Sequence, residues 1–212
     1  MVENRLYIDL CRHPISEQEC SKGGRGEVIY AYSASCSLVN LGLLINTYTE
    51  LIDDGGLHTV NMTVGQRYTQ ACLVLACMFV IRSIGHTAMV MGKDIRDRSP
   101  VIMLHLSRCW SRVLCCTAVE KLRYREAHLW ILYMGALYEK RRELSGETRS
   151  GRRGSFQELL SGFARSISVT TWTQMKEIEG KFLQTCLLYP EGYTWFENVL
   201  SQSLGFTAIV RC

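Results

Sequence analysis

Proline is almost missing from this chain, three in 212 residues, so little interrupts long helices. There is no CxxC pair despite ten cysteines, which removes the closely spaced ligands of a structural zinc knuckle. Neither a GxSxG elbow nor an HExxH run occurs, so the usual marks of serine and zinc hydrolases are lacking. The stretch from Gly85-His86 to Gly92-Lys93-Asp94 lacks the spacing and the hydroxyl residue of a phosphate loop. It reads as a glycine-bounded helix end and a loop. Met1 to Leu10 carries Glu3, Arg5 and Asp9 where an export signal needs an apolar core. The thiols are therefore expected to stay reduced, in the nucleus or cytoplasm and not in a secreted protein. Asn61-Met62-Thr63 has the form of a glycosylation site and carries no meaning without export.

A clean membrane span is lacking too. Val28 to Ile45 runs 18 residues without charge but includes Tyr30, Tyr32, Asn40 and three serines. Ala71 to Ile81 is strongly apolar and stops at Arg82 after 11 residues. A span needs about 20 predominantly apolar residues, so both runs read as buried helices.

What is present is a helical hydrophobic pattern. Hydrophobic residues make up 47% of the chain and charged residues 21%, enough for a sizeable core in an ordinary globular domain. The net charge of +4 is too small to argue for nucleic acid. Residues 1–27 read as an irregular segment ending in Lys22-Gly23-Gly24-Arg25-Gly26, and 28–212 as a single helical domain. Helices are predicted over Val28–Tyr48, over Gln66–Arg82, after Ser99-Pro100, and over Glu126–Glu143. The third carries Ile102, Leu106, Cys109, Val113 and Cys116 on one stripe. The fourth is apolar nearly all round from Leu129 to Leu137, which makes it central. Gly135 within it costs about 1 kcal/mol of helix propensity against alanine and predicts the close approach of a neighbour.

A basic loop follows at 145–154. Ser155-Phe156-Gln157-Glu158 reads as a capping box for a helix burying Phe156, Leu159, Leu160, Phe163 and Ile167. Thr171-Trp172-Thr173-Gln174 repeats that logic for a helix carrying Met175, Ile178 and Phe182. Pro190 can open a last helix through Trp195, Val199 and Leu200, and Phe206 to Val210 reads as a strand or a docked tail. The predicted class is all-α, an irregular bundle of about six to eight helices.

Few residues suggest chemistry. His105 and Cys109 share one helix face, but packed thiols beside a hydrogen-bonded histidine suit them better than zinc. Arg141, Arg142, Arg149, Arg152 and Arg153 crowd into 13 residues, chiefly as a solvated connector. No aromatic side chains interleave with them to stack bases. Arg152-Arg153-Gly154-Ser155 fits a basophilic kinase site, making Ser155 a possible phosphosite at a helix start where anions are favoured.

Leu129-Trp130, Gly135-Ala136, Phe156, Trp172, Phe182-Leu183 and Trp195 with Glu197 follow one another at helical spacings. From about His128 to Leu200 the chain resembles the C-terminal regulatory region of fungal zinc-binuclear-cluster transcription factors. The resemblance implies a helical regulatory domain acting on protein partners, either transcription machinery or a second copy, with no catalysis. It also implies structural anchors at Trp130, Phe156, Trp172, Phe182 and Trp195, so Trp172→Ala should badly weaken the C-terminal half. The six-cysteine cluster by which that family reads DNA is lacking: Cys11 and Cys20 are nine apart and no CxxC pair accompanies them. Direct DNA binding, a cofactor, a metal or an identifiable small-molecule ligand is therefore not expected. Two alternatives stand beside this reading, a membrane-associated helical protein and a small helical ligand-binding protein or enzyme.

Overall fold

The computed structural model describes the backbone of residues 25–53, 61–89, 99–144, 155–182 and 192–202, and the side chains of 38–53, 61–83, 100–144, 155–182 and 194–201. Among the described residues every regular element is a helix, so the fold is all-α. In chain order they are α1 (Arg25–Ile52), α2 (Val64–Met89), α3 (Ser99–Val113), α4 (Ala118–Arg123), α5 (Arg125–Leu144), α6 (Phe156–Ser166), α7 (Trp172–Glu179) and α8 (Gly192–Gln202).

Helix α5 is the axis. Its residues from His128 to Tyr138 are all buried, as the apolar run from Leu129 to Leu137 predicts. Helices α2, α3 and α4 pack on it, as do α6 and α7, while α1 packs chiefly on α2 and touches α3 through Tyr48. Helix α8 lies against α6 and α7. One buried cluster runs from Leu51 of α1 to Val199 of α8.

Several boundaries differ from the sequence pattern. Helix α2 continues through Gly85 and His86 to Met89, so the helix end expected at that glycine is not there. Nothing forbids glycine a helical conformation, and its cost of about 1 kcal/mol is small beside a long packed helix. Helix α1 already begins at Arg25, within the segment read as irregular. Helix α3 stops at Val113, and Cys116 lies beyond it. The extra helix α4 is specified by Thr117, whose side chain and that of Glu120 form a reciprocal capping box. Helix α7 ends at Glu179, and Phe182 sits in the following turn with its amide on the Glu179 carbonyl at 3.0 Å. The basic loop at 145–154, Pro190 and the stretch from Phe206 to Val210 lie outside the described residues.

The turn after α6 is a Schellman motif: the Val169 amide bonds the Ala164 carbonyl at 2.8 Å and that of Ser168 bonds Arg165 at 3.0 Å. It places Ser168 at a positive φ of 60°, a conformation that glycine adopts more easily.

Candidate functional site

The five aromatic anchors fall on the α5–α8 side of the molecule. Trp130 is fully buried and lies flat on Phe182, ring centres 5.1 Å apart and planes 16° from parallel. Trp195 is buried and meets Tyr133 at 5.7 Å. Trp172 is only half-buried, between Tyr133 at 6.1 Å and Phe196 at 5.7 Å. A β-carbon on Gly135 would overlap the Phe156 ring, so the glycine is the seat on which that ring rests. The inner face of α6 also differs from the one expected. Gln157, Ser161 and Ala164 are buried with Phe156 and Leu160, while Leu159, Phe163 and Ile167 are only partly covered. Small and amide side chains fit beneath a helix drawn close to α5; larger ones flank it.

At Ser155 the serine arm of the cap is present, its Oγ accepting the Glu158 amide at 3.2 Å. The next donors go elsewhere. Glu139 of α5 accepts the Phe156 amide at 2.9 Å and the Gln157 amide at 3.1 Å. A carboxylate therefore already holds the anion-favouring start of α6, and a phosphate on Ser155 would face it.

The chemically richest region lies on the other side of α5, inside the contact of α1, α2 and α3. The Tyr48 hydroxyl of α1 is 2.9 Å from His105 Nδ1 and 3.8 Å from Cys109 Sγ, both on α3. Cys109 is in turn hydrogen-bonded to Cys72 of α2. Further along, the Thr69 hydroxyl bonds His128 Nε2 of α5 at 2.9 Å and also the Cys116 thiol. Polar groups thus thread an interior whose other members are apolar.

The environment separates the thiols. Burial pushes Cys72 well above the usual thiol range, reinforced by its bond to Cys109, and burial pushes Cys77 up to about 11. Cys109 moves the other way, to about 7, because Cys72 and Tyr48 both donate to its sulfur and outweigh its own burial. Burial raises Tyr48, and its neighbour Cys109 adds to the effect. Tyr48 has one hydroxyl hydrogen, so donation to Cys109 requires His105 to present Nδ1–H to the tyrosine oxygen. His128 is lowered to about 4, by burial first and then by the charge of Lys121. It sits among Trp110, Tyr124 and Phe163, with ring centres 5.6, 6.2 and 6.1 Å away.

Among the described residues no three His, Cys, Asp or Glu side chains group closely enough to hold a metal ion. Glu120 accepts hydrogen bonds from the Thr63 hydroxyl and from the Thr117 amide and hydroxyl, and these hold it below the usual carboxylate range. It pins α4 against the start of α2.

No protein-family model, no curated protein and no solved structure matches this chain.

The pairing of His105 with Cys109 is legible in their spacing of four. Tyr48, Thr69, Cys72 and His128 are not, because they come from α1, α2 and α5, which no local spacing brings together. The surface has its own anomaly. On α1, Leu38, Val39, Leu43 and Ile45 are 65%, 63%, 60% and 49% exposed, while Leu51 of the same helix is buried. Among the described residues one stretch, Val64–Ser83 of α2, is long and apolar enough to cross a membrane: 20 residues at mean hydropathy 1.3, with 50% of it buried in the fold.

Proposed function

We propose that this chain is a non-enzymatic helical regulatory and interaction domain, similar to the regulatory region of fungal zinc-binuclear-cluster transcription factors. In this reading it acts in the nucleus or cytoplasm through protein partners and reads no DNA itself. The observation that carries the reading is the exposed apolar arc of Leu38, Val39, Leu43 and Ile45 on α1, borne by a body whose α5 is enclosed on all sides. Exposed apolar side chains one turn apart, such as Val39 and Leu43, on a helix with a rigid scaffold behind it suit capture of another protein surface. The aromatic anchors that carry the resemblance keep that scaffold fixed.

The test is tethering. Fused to a heterologous DNA-binding module in fungal cells, the full chain is expected to change reporter transcription several-fold. The double substitution Val39→Asp, Leu43→Asp is expected to abolish the effect and leave the helical circular dichroism intact. A folded, promoter-tethered chain that leaves the reporter at its baseline overturns the proposal.

A second reading, association with a membrane, is favoured by the length and hydropathy of Val64–Ser83. Alkaline carbonate separates the two. A chain released from the membrane fraction rejects that reading, and a retained one supports it.

A further inference from the structure

Two sulfurs face each other across the α2–α3 contact. Cys72 is fully buried, and Cys109 is nearly so. Helices α2 and α3 pack against one another, and Ala71, Cys72 and Ala76 of α2 are all buried. The thiols are hydrogen-bonded to one another. Both are free cysteines. Cys109 is also the end of a donor chain from the half-buried His105 through Tyr48.

We propose that Cys72 and Cys109 are an oxidation site, a facing thiol pair that hydrogen peroxide closes into an internal disulfide joining α2 to α3.

The arrangement assigns each sulfur a part. Cys109, accepting from Cys72 and Tyr48, carries the thiolate at neutral pH and is the attacking atom. Its sulfur forms a bond to one peroxide oxygen as the O–O bond breaks, giving a sulfenic acid and hydroxide, which takes up a proton to become water. Cys72 then attacks the Cys109 sulfur. The S–S bond forms, the S–O bond breaks, and the departing hydroxide takes the Cys72 proton as a second water. Two thiols and one peroxide thus yield one disulfide and two waters. Tyr48, whose hydroxyl meets Cys109, and His105 are only half-buried, and in this proposal a molecule as small as peroxide enters past them. Cys115 is exposed and lacks this setting, so it provides an internal control. This inference does not depend on the interaction reading, and its test does not involve the reporter.

The experiment is thiol mapping on the full folded chain. The protein is exposed to a small molar excess of hydrogen peroxide at neutral pH, alkylated, digested without reductant and read by mass spectrometry. The expected product is a peptide pair joined through Cys72 and Cys109, formed before Cys115 is modified and reversed by dithiothreitol. In Cys72→Ser, Cys109 is expected to accumulate as a sulfenic acid trapped by dimedone. In Tyr48→Phe, its alkylation rate at neutral pH is expected to fall several-fold. Both buried thiols remaining alkylatable while Cys115 is oxidised or cross-links two chains would overturn the proposal. The wild-type map decides the matter even if a variant does not fold.

Discussion

The two sides of α5 are built on opposite plans. Towards α6, α7 and α8, rings meet rings and small residues inside, as in Trp130 on Phe182 and Phe156 over Gly135. Of the charged groups there Glu179 is buried at the end of α7, and others close helix ends. Arg165 bonds the Leu200 carbonyl of α8 at 2.9 Å, and Glu139 holds the first amides of α6. Towards α1, α2 and α3 the order is partly inverted. Hydroxyl, thiol and imidazole groups run through the interior, and leucine, valine and isoleucine stand outside on α1. The first region is devoted to rigidity. The second keeps buried polar groups that are costly unless paired and apolar groups that gain nothing until something covers them.

Substitutions can break or sharpen that contrast. The largest effect is expected from Trp130→Ala, a loss of about 3–5 kcal/mol in urea unfolding, since a fully enclosed indole is removed. Trp172→Ala should cost clearly less, because that ring is half-covered. Equal losses would show that the two tryptophans are not distinguished by burial. Gly135→Val should cost about 1–3 kcal/mol through overlap with Phe156. A smaller ring partner, Phe156→Leu, should restore part of that loss.

His128 links the two regions, bonded to Thr69 of α2 and lying beside Phe163 of α6. Its folded value near 4 lies below the ordinary 6.5, so the unfolded chain takes up the proton first. The stability it supports is complete above about pH 6.5 and is lost as pH falls towards 4. Unfolding measured at steps across that window should slope for the wild type and flatten for His128→Gln. An equal slope in both would place the titrating group elsewhere.

Glu139→Ala should lose about 1–2 kcal/mol, as a helix cap does. The same carboxylate means that phosphate on Ser155 would weaken the start of α6 and not strengthen it, which unfolding of the phosphorylated chain would reveal. The smallest change is a gain: Ser168→Gly should raise stability by about 0.5–1 kcal/mol by relieving the positive φ. No gain would mean that the serine side chain compensates for its backbone.

Much of the scaffold was legible beforehand, for identifiable reasons. The run from Leu129 to Leu137 announced a central helix because no polar face interrupts it. Thr171 and Gln174 announced the start of α7, and both arms of that box are present. Thr117-x-x-Glu120 carries the same signal for α4, a short helix directly before the longer α5. The inner face of α6 departs from the periodic pattern because periodicity ranks residues by hydropathy. At a close helix crossing the innermost places go to whatever is small enough, here Ser161 and Ala164.

By itself the sequence determined an all-α chain, the central place of α5 and most of its helix starts. These follow from contacts within a few residues: periodic apolar faces, caps, and the scarcity of proline. Only the tertiary structure decided which thiol meets which, that Tyr48 stands between His105 and Cys109, that Glu139 caps a helix 17 residues away, and that His128 is neutral. Those are properties of groups brought together from separate helices. Their charge states depend on burial and on donors that no local spacing specifies.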